Sequence, residues 1–185
     1  QEVICSGVHG QINFSEGLAH SCNIVFGNIA EQLGAKTLER YARRLGLGES
    51  FDCAGYHTKA GSVDLSKADA GDTAWAGIGQ YSIEVNPYAY MRFMGILGGG
   101  GEAAEPYLVQ SITDGEKTLY SAQRTSTGQL ASSTAAEKMA TMMHYNVVTI
   151  YGTERFPPYY VCAKSGTAEQ EGKPAHATFA GFIKD

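Results

Sequence analysis

Gly98-Gly99-Gly100-Gly101 places the strictest constraint on how this 185-residue chain folds. Residues without a Cβ lose the most backbone freedom on ordering, so a run of four must be loop, with helices and strands stopping on either side. Upstream, Asn86-Pro87 reads as a helix start. Asn86 is the cap, and Pro87 sits in the first turn, where a missing N–H costs nothing. Downstream, Tyr107 to Ile112 and Thr118 to Gln123 flank Asp114-Gly115, a dipeptide favoured in tight hairpins.

The rest of the chain is punctuated in the same way. Ser15 is expected to cap a short turn through Leu18 and Ala19. Val25, Phe26, Ile29, Ala30 and Leu33 recur at helical spacing until Gly34. A second helix is predicted from about Leu38 to Leu45, between Thr37 and Gly46, with an apolar stripe of Leu38, Tyr41, Ala42 and Leu45. Gly48 to Gly79 shows no period and is expected to be a long structured loop. Thr134-Ala135-Ala136-Glu137 matches a capping box. The helix it opens carries Ala136, Met139, Ala140, Met143 and Val147 on one side, a stripe that reads as core packing. Two strands are predicted at the end, about Tyr159 to Ala163 and His176 to Ile183. The second alternates, with Ala177, Phe179, Gly181 and Ile183 opposite Thr178, Ala180 and Phe182. No internal repeat is present.

Composition narrows the function classes. Hydrophobic residues make up 43 % of the chain, an ordinary share for one packed domain spanning residues 1–185. The net charge is −5, from 14 basic and 19 acidic residues, and gives no support to a nucleic-acid partner. Arg40, Arg43 and Arg44 read as a solvated helix face. No apolar run approaches the roughly 18 residues of a membrane span. Gln1 opens no signal-peptide pattern, so the chain is expected to begin inside a longer protein. The cysteines Cys5, Cys22, Cys53 and Cys162 form no C-x-x-C pair, and Cys53 and His57 lack a second ligand pair. Buried free thiols are the preferred reading over a disulfide, and no metal is expected.

Two short motifs carry chemistry. Lys164-Ser165-Gly166-Thr167 follows a strand-like segment. An ammonium, two hydroxyls and a glycine that lets a ligand lie against the backbone make an anion cradle beside an amide able to polarise a carbonyl. Alone, the tetrapeptide is equally a polar strand end. Ser21-Cys22-Asn23 interrupts two helical runs. Alone, it is equally a helix cap, with Ser21 or Asn23 closing the helix that follows.

Together and in this order, the two motifs resemble the later part of the serine acyltransferase signature S-x-x-K, S-x-N, K-[ST]-G. The flanks extend the resemblance to the penicillin-binding protein transpeptidases over nearly the whole chain. Gly17 to Phe26 resembles the stretch in which a helix leads through S-x-N into an apolar helix, and Tyr41 to Gly48 the helix after it. Ile78-Gly79-Gln80 through Val85-Asn86-Pro87 resembles the segment I-G-Q-G…V-T-P-L-Q. Met142 to Thr153 resembles the helix before the K-T-G strand, and Ala163 to Glu169 resembles G-K-T-G-T-A-Q. The chain is nearest to the monofunctional transpeptidases of peptidoglycan synthesis. Tyr81 and Asn86 depart from the usual Gly and Thr, and Ser165 stands for the commoner Thr while keeping the hydroxyl. No Ser-x-x-Lys occurs, so the chain is expected to be a fragment lacking the nucleophile, and ending before the family's final strand and C-terminal helix.

The resemblance implies an α/β (α+β) fold, an incomplete antiparallel sheet flanked by helices, like the penicillin-binding proteins and serine β-lactamases. It implies acyl transfer from D-alanyl-D-alanine stem peptides, with penicillin as a mimic of that substrate, and no cofactor. Ser21 would pass a proton toward the leaving amine, assisted by Lys164. Asn23 would hold the substrate amide and the motif lysine. Ser165, Gly166 and Thr167 would line the carboxylate site, with the Thr167 N–H as half of an oxyanion hole. The implied partners are peptidoglycan stem peptides and β-lactams, at the extracytoplasmic face of a membrane reached through an N-terminal anchor. Fragment status implies self-association along the edge of residues 176–183. A β-lactam-sensing receptor domain and a degenerate non-catalytic scaffold stand as the other readings.

Overall fold

The computed structural model describes residues 3–53, 55–170 and 172–184. Among the described residues, six α-helices and six strands follow one another in mixed order. The first three helices are α1 (Phe14–Ala19), α2 (Asn23–Leu33) and α3 (Ala35–Arg44). Asn13, not Ser15, caps α1. Its side chain accepts from the Glu16 N–H while the Glu16 carboxylate accepts from the Asn13 N–H. Gly34, at φ 77°, ends α2 and starts α3 at once, so α3 begins three residues before the expected Leu38. The expected stripe of α3 is not a core face: none of its residues is buried, and Tyr41 is exposed.

The expected long loop from Gly48 to Gly79 is corrected. It contains a small hairpin, β1 (Asp52–Cys53) with β2 (Tyr56–His57), and a helix, α4 (Ala70–Gly77). Asp69 and Asp72 close α4 with a capping box built from two aspartates rather than Ser/Thr and Glu. Helix α4 lies against α2 because Gly77 has no side chain; a Cβ there would stand 2.3 Å from that of Ala30.

Helix α5 (Pro87–Gly98) starts as expected, with Asn86 accepting from the Ala89 N–H and Pro87 in the first turn, but it takes in Gly98, so the expected four-glycine loop begins only at the Gly99 cap. Its Arg92 makes a two-pronged ion pair to Glu105, with both N–O distances 2.8 Å, and holds the long connection after the glycines. The hairpin β3 (Ser111–Asp114) with β4 (Lys117–Ser121) is shorter than predicted, and its two-residue loop is Gly115-Glu116 rather than Asp114-Gly115. Both strands are wholly exposed.

Helix α6 (Ser133–Asn146) is capped by Ser132, whose hydroxyl accepts from the Ala135 N–H; Thr134 is already inside the helix. The expected box is therefore absent, and Glu137 instead pairs with Lys184. The predicted apolar stripe is correct: Ala136, Ala140, Met143 and Val147 are buried. After Asn146 the helix widens into a π-helical turn, Val147–Tyr151.

The last two strands, β5 (Tyr160–Gln170) and β6 (Lys173–Lys184), are longer than predicted and pair antiparallel throughout. Partnering explains the difference, because ladder hydrogen bonds hold polar and glycine residues extended where local preference does not. Gly181 permits the close approach; a Cβ there would lie 2.2 Å from the Cys162 carbonyl oxygen. Helices flank this ribbon as expected. On one face Cys162 packs with Met94 and Leu97 of α5 and Ala140 and Met143 of α6, with Ala180 and Phe182 added from β6. On the other, Val161 and Ala163 pack with Val147, Tyr151 and Phe156. Among the described residues neither β5 nor β6 has a second strand beside it, so both edges of the ribbon lack a further strand.

Candidate active site

The turn between α1 and α2 is tight. The Ser21 N–H donates to the Leu18 carbonyl, and the Cys22 N–H to that of Gly17. Ser21 itself is left-handed, at φ 51°. For a non-glycine residue that conformation costs on the order of 1–3 kcal/mol, and such costs gather at functional sites. The exposed serine hydroxyl is thereby projected from the break instead of capping α2. Cys22 is the α2 cap, and its side chain makes no capping hydrogen bond.

Lys164 meets Ser21 from the centre of β5. Its Nζ lies 2.5 Å from Ser21 Oγ and 2.6 Å from the Ser165 carbonyl oxygen, although Ser21 and Lys164 are 143 positions apart. Burial holds the Lys164 ammonium below the ordinary lysine range, since a partly desolvated charge favours its neutral form. Among the described residues no carboxylate lies at ion-pair distance from it. An incoming anion therefore meets an uncompensated positive charge.

The other motif residues are placed as follows. Lys164-Ser165-Gly166-Thr167 lies inside β5, not at its end. The Ser165 N–H donates to the Tyr151 hydroxyl oxygen at 2.7 Å, and that hydroxyl donates to Ser165 Oγ at 3.0 Å. Ser165 Oγ keeps its own proton for a ligand. Gly166 lies under Thr178, whose hydroxyl donates to the Gly166 carbonyl oxygen; a Cβ at Gly166 would come within 2.7 Å of that hydroxyl. Thr167 pairs with Ala177 and is exposed. Asn23 is engaged elsewhere: its side-chain amide donates to the Ile4 carbonyl at 2.8 Å.

Tyr151 was not singled out from the sequence. The π-helical turn advances it toward β5, and Phe156 and Phe179 hold its ring from two sides, with centroids 6.4 and 5.5 Å away. A π turn has no sequence signature, so only the aromatic residue before Gly152 hinted at it. Cys162 lies two residues from Lys164, but burial pushes its thiol up to about 11, which makes it an inert core residue.

A left-handed serine touching a partly buried lysine, with hydroxyls and a bare backbone along one strand, is an arrangement chemically able to polarise a carbonyl beside an anionic group. Residues 3–185 match the penicillin-binding protein transpeptidase domain family. The chain belongs to that family. Its fold is similar to solved structures of the same kind. Penicillin-binding protein A from Mycobacterium tuberculosis, as an imipenem acyl-enzyme complex, is 24% identical with a TM-score of 0.86, covering 96% of this chain and 41% of the other. The penicillin G acyl-enzyme complex of that protein gives 23% identity and a TM-score of 0.82, covering 95% and 40%. The D,D-transpeptidase domain of a peptidoglycan glycosyltransferase from Eggerthella lenta is 24% identical with a TM-score of 0.80, covering 96% and 46%. This chain thus spans less than half the length of each.

Proposed function

We propose that the protein carrying this chain is a serine D,D-transpeptidase of peptidoglycan synthesis that is acylated by β-lactams. The observation that carries the reading is the contact between Ser21 Oγ and Lys164 Nζ within a chain of this family. A serine supplied from outside these residues attacks the carbonyl of the D-alanyl-D-alanine bond. Ser21 and Lys164 relay a proton to the departing amine. A lysine below its ordinary range suits that task, because it gains and loses a proton more readily than an exposed one. Ser165 and Thr167 donate hydrogen bonds to the terminal carboxylate of the stem peptide. The Thr167 N–H polarises the carbonyl under attack. Asn23 exchanges the Ile4 carbonyl for the substrate amide when the peptide enters. A second stem peptide's amine then takes the acyl group.

The same reading places the protein at the extracytoplasmic face of the cell membrane. None of the described helices is long and apolar enough to cross one, so the anchor would lie outside them. Labelling of the protein by a fluorescent penicillin, with the adduct mapped by mass spectrometry to a serine of a Ser-x-x-Lys motif, is the expected result. A folded full-length protein that forms no adduct overturns the enzymatic reading and leaves a non-catalytic member of the family.

A further inference from the structure

Cys5, His9 and Cys22 bring three metal-ligand atoms together beside the site, all within 4.8 Å of one another. Cys5 Sγ lies 3.9 Å from Cys22 Sγ and 3.5 Å from His9 Nδ1. Tetrahedral zinc, with Zn–S about 2.3 Å and Zn–N about 2.0–2.1 Å, requires S···S of about 3.8 Å and S···N of about 3.6 Å. These two separations match those edges. A disulfide needs its sulfurs about 2.0 Å apart, which this arrangement does not approach. We propose that Cys5, His9 and Cys22 bind a zinc ion, with the fourth position open to water.

The surroundings preorganise the set. The ligands come from two segments, one before α1 and one at the cap of α2. The Asn23 amide ties those segments together through the Ile4 carbonyl. The His9 ring stacks on that of His20, with centroids 5.4 Å apart, and so is held in orientation. Cys22 is buried, whereas Cys5 and His9 are half-exposed, which leaves a path for the ion. Two thiolates and an imidazole select zinc over hard cations such as magnesium or calcium. Because Cys22 stands between Ser21 and Asn23, the bound ion would fasten residues 3–9 to the turn that carries the active-site serine. Its role would be positional.

The proposal does not depend on the enzymatic reading, and its test uses no activity. The purified protein, reduced and stripped of metal, is titrated with Co2+ and then with Zn2+. The expected result is one equivalent of Co2+ with a sulfur-to-cobalt charge-transfer band and tetrahedral d–d bands, all displaced by Zn2+, and a melting temperature raised by Zn2+. Cys5→Ser and Cys22→Ser should each abolish the charge-transfer intensity assigned to that thiolate. Cys22 is buried and its substitution threatens folding, so His9→Ala, half-exposed, provides the second variant; it should stay folded and lose the tetrahedral spectrum. His57→Ala should leave uptake unchanged. A folded, reduced protein that takes up neither ion overturns the proposal. So does uptake unaltered in His9→Ala and Cys5→Ser, or a Cys5–Cys22 disulfide that re-forms when reduced protein is repurified with Zn2+.

Discussion

The two halves of β5 are one strand under two different demands. In the first half Val161, Cys162 and Ala163 are 8 %, 0 % and 1 % exposed, and side chains of α6 occupy the strand's outward carbonyls. The Asn146 amide donates to the Ala163 oxygen at 3.0 Å. His144 Nδ1 lies 2.8 Å from the Val161 oxygen, and because a carbonyl only accepts, that nitrogen carries the proton. In the second half Ser165, Gly166 and Thr167 are exposed. Tyr151 sits at the boundary, bonded to both the N–H and the hydroxyl of Ser165. An open strand edge is a hazard that proteins usually cover. Here helix side chains cover the half that anchors and leave bare the half that can read a ligand. Lys164, between the two, gains rigidity from one and access from the other.

The largest expected effect separates chemistry from scaffold at Lys164. Lys164→Ala should lower acylation of the full-length protein by penicillin by about 10²–10⁴-fold, the usual range for a lost proton-transfer group. Its melting temperature should barely move, since no core cavity opens. Near-normal acylation kinetics would remove Lys164 from the mechanism. The pH profile sharpens the point. Acylation that needs the ammonium form should fall on an alkaline limb below 10.5, because burial lowers this group's value. In Lys164→Arg, whose guanidinium stays charged above pH 12, whatever rate survives should lose that limb. An alkaline limb unchanged in the arginine variant would assign it to another group.

A stability effect should follow in the anchoring half. Gly181→Val places a side chain where the Cys162 carbonyl already stands, and should cost about 1–3 kcal/mol or more, as overpacking does. Denaturant unfolding measures it, and an unchanged midpoint would show that β6 can move away from β5. Asn146→Ala leaves the buried Ala163 carbonyl without its partner and should cost about 1–3 kcal/mol. That loss is offset in part, since Asn146 Oδ1 is itself buried without a partner. At the boundary Tyr151→Phe removes one phenolic hydroxyl in a partly exposed place. A loss of about 1 kcal/mol, with weaker substrate binding than folding, is expected. Ile112→Thr on the exposed β3–β4 hairpin should stay within about 0.5 kcal/mol, and a larger thermal shift there would show that the hairpin packs on something.

Legibility followed the range of the forces involved. Asn86-Pro87 opens α5, and the α6 stripe is core, because caps and a 3.6-residue period are written in adjacent residues. Helix α4 was missed since Asp69 and Asp72 form an unusual box in a glycine-rich stretch. The lengths of β5 and β6 were missed because pairing, not local preference, carries β5 on through Gly166 and starts β6 as early as Lys173. The two motifs, their order and their family resemblance were available in the sequence alone, since residue type and spacing need no coordinates. That Ser21 is left-handed, that Lys164 reaches it across 143 positions, that a π-helical turn delivers Tyr151 to Ser165, and that Cys5, His9 and Cys22 meet were all decided by tertiary structure. Each depends on how separate elements pack, and packing energy accrues between residues far apart in the chain, where no local pattern records it.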